Sequence, residues 1–146
     1  MLRKTAGFTM IEAIAVLLLL GILSTVIISS YGATESNTLV AEEATLKGHL
    51  RFAQLRAMND QVSWGIALAA NAYTLLSNGV PAPSDLPGED SQTHSLPVGV
   101  SITLGAGTTV TFDQWGSPGP ANRIITLSSG MDARAIPITR NTGFIP

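Results

Sequence analysis

The stretch GFTMIEAIAVLLLLGIL, residues 7–23, carries most of the information about how this chain folds. It opens an apolar run over residues 8–28, and a helix of that length would be about 31 Å long, close to the hydrocarbon thickness of a bilayer. The polar members of the run are Thr9, Glu12, Ser24 and Thr25. Arg3 and Lys4 precede it and would keep the N-terminus cytoplasmic. The sequence therefore predicts one membrane-spanning helix, with the chain after Ile28 outside the inner membrane.

Glu12 is an unusual residue for such a helix. A carboxylate near the centre of a spanning helix costs about 2.5–3.5 kcal/mol on insertion scales, so such a residue usually has a partner. An ordinary secretory signal peptide is the alternative, because it too has a basic region followed by an apolar one. Two features count against it: the apolar run is longer than usual, and bulky Tyr31 before Ala33 makes a poor cleavage site.

The same segment resembles the class III signal of type IV prepilins and type II secretion pseudopilins. In that family a prepilin peptidase cuts after the glycine, here Gly7, and methylates the new N-terminal amine, here that of Phe8. Glu12 becomes the fifth residue of the mature chain and matches the family's glutamate, whose partner is the N-terminal amine of a neighbouring subunit. The resemblance thus implies processing at Gly7 and Phe8 and assembly through Glu12. The segment lacks the proline that many relatives carry later in the helix.

Helix-forming residues without a proline continue the predicted helix through residues 29–60. At 100° per residue, two apolar stripes appear on nearly opposite faces. One stripe contains Leu39, Leu46, Leu50, Ala53 and Ala57, and the other contains Val40, Ala44, Phe52, Leu55 and Met58. We expect the first to pack on the sheet of the head and the second to meet neighbouring helices in a filament. A helix embedded in its own domain is the alternative.

Residues 61–146 predict a β-rich head. The predicted strands are residues 62–69, 73–77, 98–103, 108–112, 123–128 and 133–139. Turn residues such as Asn78-Gly79 and Gly105 to Gly107 separate them, which predicts an antiparallel sheet of hairpins with a long polar loop at 81–97. The order of helix and hairpins resembles the pilin fold, an α+β class. The segments RFAQLRAMNDQVSWGIAL, FDQWGSP and IITLSSGMDARAIPITRNTGFIP resemble the H-type minor pseudopilin and FimT-like group.

The head offers no recognisable chemistry. The chain has no cysteine, and its two histidines, His49 and His94, do not have the spacing of zinc ligands. No nucleophile, P-loop or dinucleotide motif is present. We therefore predict no catalytic residue, no metal site and no cofactor.

Other polar residues are better explained as ordinary surface or packing residues. The acidic loop residues Asp85, Glu89 and Asp90 match no calcium-binding loop, and Trp115 is expected to anchor a turn on the core. The arginines in the C-terminal part are Arg123, Arg134 and Arg140. They are scattered, and with a net charge of -2 they predict no nucleic-acid partner.

The predicted organisation is a leader, 1–7, a transmembrane helix, 8–28, a helix continuation, 29–60, and a β-rich head, 61–146. The predicted function is that of a non-enzymatic minor pseudopilin in a type II secretion pseudopilus. Its partners would be prepilin peptidase, other pilins or pseudopilins and the inner membrane, with the head in the periplasm and then in a filament. Two alternatives remain: a type IV pilus minor pilin in adhesion or DNA uptake, and a membrane-anchored β-domain that binds a ligand.

Overall fold

The structure, a computed structural model, describes residues 9–105 and 107–146, with the side chains of residues 25–36 outside that description. The chain divides into two compact units, Met1–Thr34 and Glu35–Pro146. The elements are α1, Met10–Asp60; β1, Trp64–Leu68; β2, Ala72–Ser77; β3, Val80–Pro81; β4, Thr93–Ser95; β5, Val100–Leu104; β6, Thr109–Phe112; β7, Arg123–Ser129; and β8, Asp132–Ile138. An N-terminal helix followed by antiparallel strands confirms the predicted α+β class.

Helix α1 supplies one wall of the core in the second unit. The predicted inner stripe is confirmed: Leu39, Leu46, Leu50, Ala53 and Ala57 are all buried. The helix ends at Asp60, the last residue of the predicted helix continuation. Gln61 follows with a φ of 55°, a left-handed conformation that commonly terminates helices.

The predicted membrane span, residues 8–28, extends beyond the part of the chain that the structure describes in full. Within the described part of the chain, no helical segment combines the length and the apolar character that a bilayer crossing requires. Residue 8 and the side chains of residues 25–28 belong to the predicted span, and they lie outside the description.

The strands form two antiparallel sheets. The first has the order β3-β2-β1-β6, with β4 also paired to β2, and the second has the order β5-β7-β8. Their inward side chains join the helix stripe in one core, in which the largest buried strand residues are Trp64, Tyr73, Phe112, Ile66, Leu75, Ile125, Leu127 and Ile136. Burial of such apolar side chains contributes about 1.5–3 kcal/mol each relative to exposure.

The expectation of a single sheet of hairpins is wrong, because consecutive strands β5 and β6 do not pair. β6 pairs with β1, and β5 pairs with β7. The backbone N–H groups of Leu68 and Gly107 bond the carbonyls of Thr108 and Leu68, which extends the β1–β6 ladder to the point where the chain changes sheets. Gly65 permits this pairing, since a Cβ there would collide with the Val110 carbonyl.

The sequence did not indicate two short strands at the predicted loop 81–97: β3 ends on the first residue of this loop, and β4 lies within it. Asn78-Gly79 forms the expected turn, with positive φ at both residues, and leads into β3. Strand β4 returns beside β2 in a register that places His94 opposite Tyr73. Both ends of the loop between β3 and β4 are therefore attached to the first sheet, because both strands pair with β2.

An outer strand of each sheet contains a proline. Pro81 lies in β3, and Pro137 lies in β8 opposite Ile124. Proline has no backbone N–H to give to a further strand, and it is found in sheets mainly at such edges.

Candidate assembly surface and histidine cluster

Thr9 and Glu12 define the start of helix α1. The N–H of Glu12 donates to the Thr9 carbonyl at 3.1 Å and lies 3.4 Å from its Oγ1. Threonine at the cap followed three residues later by glutamate is the pattern of a capping box. A carboxylate in the first turn also interacts favourably with the helix dipole. Glu12 is exposed in this chain. Gly7 and Phe8, the predicted processing residues, lie outside the described residues.

The first part of α1 exposes apolar side chains around its whole circumference. Every residue from 10 to 24 is exposed. The large apolar members are Met10, Ile11, Ile14, Val16, Leu17, Leu18, Leu19, Leu20, Ile22 and Leu23. Ser24 satisfies its hydroxyl internally by donating to the Leu20 carbonyl at 2.7 Å. A helix that is apolar all round is normally covered by lipid or by other helices, because water does not tolerate so large an apolar surface.

Further along α1, the second predicted stripe is mostly uncovered. Val40, Ala44, Leu55 and Met58 are exposed, whereas Phe52 is half-buried because it packs against the core. The line is continued by small exposed residues, Ala41 and Gly48. We call this exposed face of α1 the outer stripe. It consists of Val40, Ala41, Ala44, Gly48, Leu55 and Met58. Its small side chains leave room for a second helix to approach closely.

Gln54 joins two loops to the helix beside the outer stripe. Its Nε2 donates to the carbonyls of Gly116, at 2.8 Å, and Thr142, at 3.2 Å. Arg51 similarly donates to the Ile145 carbonyl at 2.9 Å. A Cβ at Gly143 would collide with Gln54 and with the Gly116 carbonyl. The C-terminal segment is therefore held by hydrogen bonds to its carbonyls as well as by the burial of Ile145 in the core.

The turn from Asp113 to Gly116 is compact as expected, but the role expected of its tryptophan is wrong. The Asp113 carboxylate accepts from the N–H groups of Trp115 and Ser117, both at 2.9 Å. The Trp115 side chain is 76% exposed instead of packing on the core. The hydrogen bonds of Asp113 and the contact of Gly116 with Gln54 fix this turn, so the indole is not needed as an anchor.

The two histidines, far apart in sequence, meet between α1 and the loop that precedes β4. His94 stacks on Tyr73 with ring centroids 4.9 Å apart, and the His49 ring lies 5.9 Å from that of His94. His94 Nδ1 lies 2.6 Å from the Glu89 carboxylate, and its Nε2 lies 2.9 Å from that of Glu42. We call these five residues the histidine cluster; sequence reasoning missed it.

The hydrogen-bond partners assign the protonation states in the cluster. His49 Nε2 lies 3.0 Å from the Pro87 carbonyl, which can only accept, so this nitrogen carries a proton. In the neutral tautomer that this bond selects, Nδ1 accepts from the Tyr73 hydroxyl at 2.8 Å. Burial raises the pKa of Tyr73, and the charges of Glu42 and Glu89 raise it further, which keeps the hydroxyl a donor.

Opposing effects act on His94. Burial lowers the pKa of His94, but hydrogen bonds to Glu89 and Glu42, together with their charges, outweigh burial and raise it above its ordinary value of 6.5. Below this raised pKa both ring nitrogens carry protons, and each lies against a carboxylate.

The remaining candidate residues do not converge on a ligand site. Among the described residues, no group of three or more histidine, aspartate or glutamate side chains could hold a metal ion. Arg123 and Arg134 face Ile138 and Leu127 and so lie toward opposite ends of the β7–β8 hairpin. Arg134 lies 3.8 Å from Glu43.

Comparison with known structures identifies the fold. The chain is similar to the type IV minor pilin FimU of Pseudomonas aeruginosa, with a TM-score of 0.58 and 19% identity over 77% of this chain and 90% of that one. This chain has the fold of a type IV pilin. A second crystal form of FimU gives a TM-score of 0.51 and 20% identity over 73% and 87% of the two chains. No protein-family model and no curated protein matches the sequence. The pilin fold accounts for the order of a long helix and antiparallel strands.

Proposed function

We propose that this chain is a non-enzymatic structural subunit of a type IV pilin-like filament. The observation that carries the proposal is the fully exposed apolar surface of residues 10–24 at the start of a pilin fold. Such a surface needs lipid before assembly and neighbouring helices afterwards. The outer stripe offers a second helix-packing face within the head unit.

The proposed maturation begins with prepilin peptidase, which cuts after Gly7 and methylates the amine of Phe8. Before assembly, residues 8–28 anchor the chain in the inner membrane, with the head in the periplasm. The support is the apolar composition of that run after Arg3 and Lys4, together with the glutamate at the family position.

Glu12 would then pair with the Phe8 amine of a neighbouring subunit. A carboxylate removed from water is stabilised when a cation lies at the same depth, so the pair would set the register between subunits. Thr9 contacts only the backbone N–H of Glu12, but a glutamate at this position also suits the first turn of its own helix. The two roles can be separated, because glutamine fits the capping position but carries no charge.

Mass spectrometry of the N-terminus, on chain extracted from membranes, tests the proposal. We expect a mature chain that begins with methylated Phe8, both in the wild type and in Glu12→Gln. The variant should remain in the membrane and fail to enter filaments. A chain that retains Met1, or that begins near Ala33, would overturn the proposed maturation; normal incorporation of Glu12→Gln would overturn the role of its charge.

Two machines use such subunits. The head motifs resemble those of the minor pseudopilin of type II secretion, which supports a secretion pseudopilus. FimU is a type IV minor pilin, which supports a pilus as the second candidate. Deletion of the gene, complemented with the wild type, separates them: a secretion subunit is needed for export of proteins and a pilus subunit for surface pili.

A further inference from the structure

The loop before β4 is joined to α1 through the histidine cluster. Leu86 is buried, and the N–H of Glu89 bonds the Leu86 carbonyl while the N–H of Leu86 bonds the Ser91 carbonyl, which makes residues 86–91 a closed turn. Pro87 contributes its carbonyl to His49. Glu89 contributes its carboxylate to His94, which also bonds Glu42 on the helix.

The geometry of His94 requires a second ring proton. Carboxylates can only accept hydrogen bonds, and one lies against each ring nitrogen, so the arrangement needs an imidazolium. The side chains of His94, Glu42 and Glu89 are 12%, 15% and 32% exposed. In this partly dehydrated position the charge-assisted bonds are stronger than they would be in water.

Loss of that proton removes the connection between two like charges. Neutral imidazole has a single N–H, so one carboxylate would face a ring lone pair, and Glu42 and Glu89 would repel each other without a cation between them. The other groups facing His94 are Tyr73, a neutral donor to His49, and His49 itself. Lys47, on the same helix, is paired with Glu43 at 2.9 Å.

We propose that the turn 86–91 is a proton-controlled latch on helix α1: it is closed while His94 carries two protons and opens when His94 loses one. Glu89 is the partner that leaves, because it is the more exposed carboxylate and belongs to a surface turn, whereas Glu42 belongs to the helix. Opening frees the exposed part of the turn around Glu89 and changes the head surface there, while Leu86, the rest of the buried core and the strands stay in place. The latch depends on these side chains alone and does not require the proposed filament role.

Hydrogen exchange of the full chain in detergent, followed by mass spectrometry between pH 5.5 and 9, tests the latch. After correction for the intrinsic pH dependence of exchange, we expect protection of residues 86–91 to fall severalfold as the pH rises, while the core strands keep theirs. His94→Gln should show low protection of the turn at every pH. Protection in the wild type that does not change with pH would overturn the proposal, as would a pH dependence that survives in His94→Gln.

Glu89→Gln supplies a second, milder test at a more exposed site. Removing one carboxylate weakens the attraction for the second proton, so the midpoint of the opening should move to lower pH. Glu43→Gln is the matched control, because Glu43 neighbours Glu42 on the helix but pairs with Lys47. An unmoved midpoint in Glu89→Gln, or an equal shift in Glu43→Gln, would contradict the latch.

Discussion

Single side chains with two hydrogen-bond partners each hold separate segments of this head together. Gln54 bonds the carbonyls of Gly116 and Thr142, and His49 bonds the Pro87 carbonyl and the Tyr73 hydroxyl. Each connects the helix to a segment that is remote in sequence. These contacts follow from three-dimensional placement, so residue type alone does not reveal them.

Gln54→Ala should destabilise the chain by about 1–2 kcal/mol, because it removes two hydrogen bonds that join the helix to separate loops. The free energy of unfolding, from urea titration of the full chain in detergent, checks this value. Asn59→Ala is the control: its amide bonds only the neighbouring Asp60, and we expect a change within about 0.5 kcal/mol. Equal effects of the two substitutions would contradict the proposed role of Gln54.

The helix residues of the histidine cluster could be predicted from the sequence, but their partners outside the helix could not. Glu42 and His49 lie two turns apart on one helix face, which is a usable signal for a polar contact. Their partner His94 lies 52 residues beyond Glu42, within a segment predicted as loop. Its position depends on the pairing of β4 with β2, and a three-residue strand leaves almost no periodic pattern.

At the scale of elements, the sequence predicted where most strands lie but not how they pair. The run at 123–128 corresponds to β7, Arg123–Ser129, because alternating burial marks each strand locally. Pairing depends on which apolar faces share a core, and this information is not local. The glycines after β5 were expected to close a hairpin; instead, the chain passes there from one sheet to the other.

The two faces of α1 give a direct contrast between stability and assembly. Leu50→Ala should cost about 2–5 kcal/mol, because Leu50 is fully buried and its truncation leaves a cavity. Leu55→Ala changes the same residue type on the outer stripe, where the side chain is 64% exposed, and should alter stability by less than about 0.5 kcal/mol. Chemical unfolding measures both values.

Incorporation into filaments provides the complementary measurement. Leu55→Ala should reduce it although the chain remains folded, because the outer stripe would lose contact area with a neighbouring helix. Wild-type incorporation of this variant, at equal membrane levels, would exclude Leu55 from the assembly surface.

For the whole molecule, the histidine cluster links stability to pH. The pKa of His94 is raised in the folded chain, so its contribution to stability is fully present below the unfolded value of 6.5 and is lost as the pH rises through the folded value. We therefore expect the unfolding temperature to fall from about pH 6.5 upward.

The His94→Gln variant isolates this contribution. The difference in unfolding temperature between wild type and variant should shrink as the pH rises from 6 to 9, because the wild type loses a bond that the variant lacks throughout. A difference that stays constant over this range would show that His94 contributes through packing alone.

The prolines on β3 and β8 affect how copies of the head interact when many of them lie close together. Neither outer strand can offer a complete row of N–H groups, so a head that meets its copies there gains little by fusing sheets with them. Along these two edges neighbouring heads would stay separate, and a polymer in which they met there could be taken apart again without unravelling a shared β-structure.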